Sequence, residues 1–281
     1  MLIMSRACPG TLGNALVLRC DRYIVLLAAV LIVWGIASLA TGVRTAIAQG
    51  APQPRVVHNI DAYPYILWRE TWAGGELLAR SWSVYSGSMF AISGDIEAPG
   101  WRLRTTAGYG RYTYHKWRRG LDGPEYAKLT GHKTFSDLML GYQFHWPQLV
   151  VKAFGGIASE RHITDPGDPD AVIGDISYGG KVALEAWYSI SPDYWIASDA
   201  SWTSPLNTYK LGIRAGHKLL EDLDVGFEAR LEGTEIYKAA RAGAFATLRF
   251  NDVGLTFAGG VTGDYDSELT HYASVNVFVR Y

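Results

Sequence analysis

The chain has 281 residues, a formal net charge of −1, 48% hydrophobic and 13% aromatic residues, and 31 glycines. A near-neutral balance gives no basic excess to hold nucleic acid. One long apolar run, at the N-terminus, is too few for a helical multi-span membrane protein. Abundant Trp, Tyr and Gly fits a secreted β-sandwich or an outer-membrane β-barrel, because a barrel turns only alternate residues toward lipid.

The apolar run covers residues 23–39. Arg6, Arg19 and Arg22 precede it, and small residues ending in Ala46-Ile47-Ala48 follow it. A basic region, an apolar core and an A-x-A site together predict a secretory signal peptide over residues 1–48. An uncleaved anchor is the rival reading, since the run nears spanning length. Both cysteines, Cys8 and Cys20, lie in the presequence, so a processed chain carries no disulfide and no thiolate chemistry. Residues 49–66, with Pro52, Pro54 and Pro64, read as a periplasmic lead-in.

From residue 67 onward, segments of strand character recur at steady spacing with turn residues between them. The first, 67–77, carries Trp68 and Trp72 but also Gly74-Gly75. The others are 81–93, 101–115, 133–146, 148–163, 175–190, 194–203, 209–219, 223–235, 239–250, 253–263 and a closing strand 272–281. Alternation is clear in most. Leu138, Leu140, Tyr142, Phe144 and Trp146 share one face, as do Val225, Phe227, Ala229 and Leu231, with Glu228, Arg230 and Glu232 opposite the latter. The closing strand sets Ala273, Val275, Val277, Val279 and Tyr281 against Tyr272, Ser274, Asn276, Phe278 and Arg280.

Three features favour a transmembrane antiparallel up-and-down barrel of about twelve strands over residues 67–281. Connections after even-numbered strands are tight, as at Pro147, Ser191-Pro192-Asp193, Glu221-Asp222 and Asn251-Asp252, whereas 116–132 and 164–174 read as long loops. Most strands, at eleven to sixteen residues, can cross a bilayer when tilted, where sandwich strands run to about five or six. An even count places both termini in the periplasm.

The stretches Tyr85-Ser86-Gly87, Gly100-Trp101-Arg102-Leu103-Arg104, Gly108-Tyr109-Gly110-Arg111-Tyr112-Thr113-Tyr114, Leu140-Gly141-Tyr142 and Lys152-Ala153-Phe154-Gly155-Gly156 resemble the cellulose biosynthesis protein BcsS family in order and spacing. The resemblance runs over roughly residues 67–281. It implies a secreted outer-membrane barrel linked to cellulose production, and it supplies no catalytic residues to carry over.

Charged side chains fall mostly opposite the aliphatic face: Arg102, Arg104, Lys152, Lys181, Glu185, Asp199, Lys210, Arg214, Glu228, Arg230, Glu232, Arg249 and Arg280. They are the candidate lumen-lining set, serving either as a polar channel or saccharide surface, or as the paired charges that fill small barrels. Phe154, Trp187 and Trp195 share that face and are candidates to stack on sugar rings, with interior packing as the alternative. Trp146, Tyr188 and Tyr194 sit near strand ends as interface aromatics.

Asp165, Asp168, Asp170 and Asp175 crowd one predicted loop but lack the EF-hand spacing, so a solvated acidic loop is expected and no metal or cofactor. Lys116, Trp117, Arg118, Arg119, Lys128 and Lys133 form a basic aromatic loop, suited to lipopolysaccharide phosphates or a nascent glycan, with a plain solvated loop as the favoured reading. His271 and Ser274 lie on opposite faces of a strand, and no G-x-S-x-G, H-E-x-x-H or P-loop is present, so no enzyme is expected. The expected function is a non-enzymatic accessory in cellulose biosynthesis and secretion, with outer-membrane lipid, lipopolysaccharide, cellulose or the secretion machinery as partners. A narrow porin is the runner-up.

Overall fold

A computed structural model describes residues 67–120, 123–164, 176–234, 238–263 and 269–281. The expected signal peptide, the lead-in up to residue 66 and the acidic stretch 165–175 lie outside the described residues. Twelve strands follow in order: β1 (Arg69–Leu78), β2 (Ser81–Ala91), β3 (Gly100–Gly120), β4 (Gly123–His145), β5 (Leu149–Thr164), β6 (Ser177–Ser189), β7 (Tyr194–Thr203), β8 (Thr208–Leu220), β9 (Leu223–Gly233), β10 (Lys238–Phe250), β11 (Val253–Gly263) and β12 (Leu269–Arg280). Each pairs antiparallel with its neighbours in sequence, and β1 pairs with β12 from Glu70↔Arg280 to Leu78↔Tyr272, which closes the barrel. Closure leaves no free sheet edge, which a membrane-spanning sheet requires. The glycine-containing first strand is therefore real, and the count is even.

Alternation divides the wall. Outward positions carry Leu184, Leu211, Ile213, Leu231 and Val275, all exposed. On β6 the outward aromatics Tyr178 and Tyr188 bracket Val182 and Leu184. Ten residues at about 3.3 Å each, tilted near 45°, span close to the ~25 Å apolar band of an outer-membrane barrel. Near the end that holds both termini, Trp101, Tyr142, Phe144 and Trp146 form a run of ring contacts, with centroids 5.4, 4.7 and 6.0 Å apart. Tyr194 stacks on His217 at 4.4 Å nearby. These are the aromatic girdle at that interface.

Two segments differ from expectation. Residues 116–132 do not form a loop: β3 and β4 run on as a ribbon to Gly120↔Gly123, well past the last partners of β2 (Ser81↔Tyr112) and β5 (Gly131↔Thr164). Cross-strand rings support it, with Trp117 and His115 lying 5.3 and 5.4 Å from Tyr126. The connection between β2 and β3 is also more than a turn. It folds into the mouth of the barrel at the terminal end, where Ile96 packs with Met89, Met139, Phe154 and Ala183. The other terminal-end turns are tight, and Asn251 adopts positive φ in the Asn251-Asp252 hairpin.

Candidate functional site in the lumen

Two kinds of side chain stand out at the inward positions, aromatic and charged. The aromatics lie against glycines. Trp72 covers Gly87, Tyr85 covers Gly74, Phe135 covers Gly108, Phe154 covers Gly141, Trp195 covers Gly216, Phe245 covers Gly226 and Phe278 covers Gly254. In every case the two residues are register partners on adjacent strands. A Cβ at any of these glycines would overlap the ring, so glycine is what lets a large ring lie flat on the wall.

The charges are paired. Arg104 bonds Glu185, and Lys152 lies 3.6 Å from the same carboxylate. Lys181 donates to Asp137 at 2.6 Å, Arg214 to Glu228 at 2.7 Å, and Arg249 to Asp224. Glu76 on β1 receives Arg230 at 3.3 Å and Arg241 at 3.2 Å, and Arg241 also donates to Glu232 at 2.8 Å. Tyr272 donates to Glu228 at 2.8 Å, and Tyr85 donates to Asn276. Arg280 bridges Glu70 at 2.8 Å and Glu97 of the β2–β3 connection at 3.0 Å. Several of these contacts join strands three or four apart in the closed order, so they run as chords through the lumen.

At the terminal end the β2–β3 connection is held against inward wall residues. Arg102 is fully buried and donates to the carbonyls of Asp95, Ile96 and Ala98, and Gln143 donates to those of Ile96 and Ala98 at 3.1 Å. The β2–β3 connection is thus held in place by two wall residues through its backbone. Arg102 does not line a channel, as its inward phase suggested; it is consumed in fixing this plug.

Toward the other end, Lys133 and His162 both reach Glu160, and Tyr112 contacts His162 at 3.1 Å. Asp199 lies against Gly212. Lys210 approaches the Phe135 ring at 5.8 Å. Among the described residues no group of His, Cys, Asp and Glu is arranged to hold a metal ion.

The three candidate stacking residues separate. Phe154 is buried in the plug core, with Gly141 beneath its ring and Arg104 above it at 4.4 Å, so it offers no face to a sugar. Trp187 and Trp195 stack on each other at 4.2 Å, both only partly buried, and Phe245 packs on Trp195 at 5.6 Å. Trp195 Nε1 donates to Asp224 at 3.2 Å. Phe245 is not among the sequence candidates, yet it lies on the same face as Thr247 and Arg249, and that phase identifies it as inward.

Comparison with known proteins gives the following. A family profile described as cellulose biosynthesis protein BcsS matches residues 70–281. No curated protein matches the chain by sequence. Among solved structures, LpxR from Salmonella typhimurium is similar at 10% identity and a TM-score of 0.46, over 75% of this chain and 99% of that one. The KdgM porin in complex with disordered oligogalacturonate gives 9% identity and a TM-score of 0.45, over 75% and 99%. The translocator domain of autotransporter NalP from Neisseria meningitidis gives 12% and 0.41, over 89% and 97%.

Proposed function

The chain belongs to the cellulose biosynthesis protein BcsS family, and we propose that this outer-membrane barrel is a non-enzymatic accessory that serves cellulose secretion without conducting solutes through its own lumen. The observation that supports this reading is the plug. Ile96, Met89, Met139 and Phe154 form a buried apolar cluster at the terminal end, and Arg102, Gln143 and Arg280 tie the plug to the wall. A porin needs a water-filled path; here the β2–β3 connection and its buried apolar cluster stand in that path at the terminal end. Both termini lie in the periplasm in this reading, and the β3–β4 ribbon projects from the cell. The partner is the glucan or the machinery that exports it.

The test is a deletion strain and its complemented counterpart, assayed for extracellular glucan by calcofluor binding and for uptake of small solutes. Lost glucan with unchanged permeability supports the accessory role. Unchanged glucan with reduced uptake overturns it in favour of a narrow porin.

A further inference from the structure

Charge is sorted between the two faces of this wall by sign. Every Asp and Glu within the described strands, from Glu70 on β1 to Glu232 on β9, falls on the inward alternation. The charged side chains that fall outward are cations: Arg69 near the terminal end, and Arg111, Lys128, Arg161 and Lys238 near the far end. Hydration alone does not explain this, since an exposed carboxylate is as well solvated as an exposed amine. An outward face that bears only positive charge suits a negatively charged neighbour.

The outward cations of the far end concentrate on β3, β4 and β5. Arg111 pairs with His132 in register, and Thr134, one outward step lower on β4, pairs with Arg161. Tyr109, below Arg111, contacts His132 Nδ1 at 2.6 Å and packs edge-on against Trp82 at 5.6 Å. Lys128 and Arg111 are exposed; Arg111 stands within this belt, in register with both Trp82 and His132, and Lys128 stands two outward steps farther along β4. Below the belt the same strands present Leu103, Leu138, Leu140 and Ile157, all exposed apolar side chains. The order along the wall is therefore acyl-compatible, then an aromatic belt that includes Arg111, then Lys128.

We infer that the outward face of β3–β5 at its far end binds the phosphate groups of a phosphorylated glycolipid of the outer leaflet. The apolar strip below would take the acyl chains, the Trp82–Tyr109–His132 belt would lie at the sugar level, and Arg111 within the belt and Lys128 beyond it would reach the phosphates. Guanidinium and ammonium groups supply the charge-assisted donors that phosphate oxygens accept. The inference uses the orientation proposed above and is independent of any role in glucan output.

The test is native mass spectrometry of the intact barrel in detergent, with bisphosphorylated lipid A and with its dephosphorylated counterpart as probes. The wild-type barrel is expected to retain the phosphorylated lipid about thirtyfold better, from about fivefold for each of the two cations near a charged surface. The double variant Arg111→Gln/Lys128→Gln should lose most of that preference, and Lys238→Gln, on β10, should keep it. Equal retention of the two lipids by the wild type overturns the inference, and this arm needs no variant to fold. An unchanged preference in the double variant also overturns it. Displacement of the lipid by cellohexaose overturns it in favour of a glucan-docking face. Because lipid retention is read on purified protein, a failed glucan role and a failed lipid site give separate signatures.

Discussion

Trp195 on β7 and Gly216 on β8 are register partners, and the indole lies over the glycine so closely that any side chain there would overlap it. The same ring system stacks on Trp187 at 4.2 Å. One glycine thereby sets the geometry of the tryptophan pair inside the lumen. Gly216→Val should push Trp195 off the wall and break the stack. The expected outcome is loss of the near-ultraviolet circular dichroism of the paired indoles, with a stability loss of about 1–3 kcal/mol from overpacking. An unchanged spectrum in the folded variant would show that the ring does not depend on this glycine.

Glu76 is the shared acceptor for Arg230 and Arg241. Glu76→Gln keeps the shape and removes the charge, so two largely buried guanidinium groups lose their common counter-ion. Arg241 keeps Glu232 at 2.8 Å and Arg230 is a quarter exposed, so the loss falls below that of a fully orphaned buried charge, at about 1–3 kcal/mol. The variant should unfold at lower urea in lipid vesicles and migrate as unfolded protein at a lower temperature in detergent gels. Glu221→Gln, in the exposed turn between β8 and β9, should change neither.

Arg102 carries the most consequential role in the plug, because its donors meet three carbonyls of one connection. Arg102→Ala leaves those carbonyls without their partner inside the barrel, and the connection is then free to leave the mouth. Planar-bilayer recordings should show little conductance from the wild type and discrete openings from the variant. A wild type that conducts as a stable open channel would remove the plug from the account, and with it the main support for a non-conducting accessory.

Much of this architecture was legible because the two environments of a barrel wall impose a period of two over long segments. The run from Leu138 to Trp146 on β4, and Val225 to Leu231 against Glu228 and Arg230 on β9, reveal both strand and facing without any tertiary information. The ribbon was hidden by composition. Lys116, Arg118, Arg119 and Gly120, with Asp122, Gly123 and Pro124, read as loop residues, and pairing depends on cross-strand rings that only the fold brings together. The plug was hidden for a different reason. Arg102 shows inward phase like Arg104, yet one is consumed by backbone carbonyls seven or fewer residues away and the other crosses to Glu185. Alternation reports the face and not the partner. The glycine–aromatic pairs lie between these cases: each motif was visible, but what the glycines permit became clear only with the register.

The orientation of the barrel is open to a direct prediction, because a processed chain would have no cysteine: both natural ones precede residue 49. Tyr126 stands exposed on the β3–β4 ribbon at the far end, and Asp222 stands exposed in the tight β8–β9 turn at the terminal end. Single variants Tyr126→Cys and Asp222→Cys therefore place one thiol at each end of the molecule. A membrane-impermeant maleimide added to intact cells should label Tyr126→Cys and leave Asp222→Cys unlabelled until the outer membrane is opened. The reason is geometric: tight turns sit on the periplasmic side in barrels of this type, and extended segments face outward. The reverse pattern would put the termini outside and turn the cationic face of β3–β5 toward the inner leaflet, which holds no phosphorylated glycolipid in such membranes. The same labelling in the unvaried chain serves as the check on processing, since a thiol signal there would mean that Cys8 and Cys20 are retained.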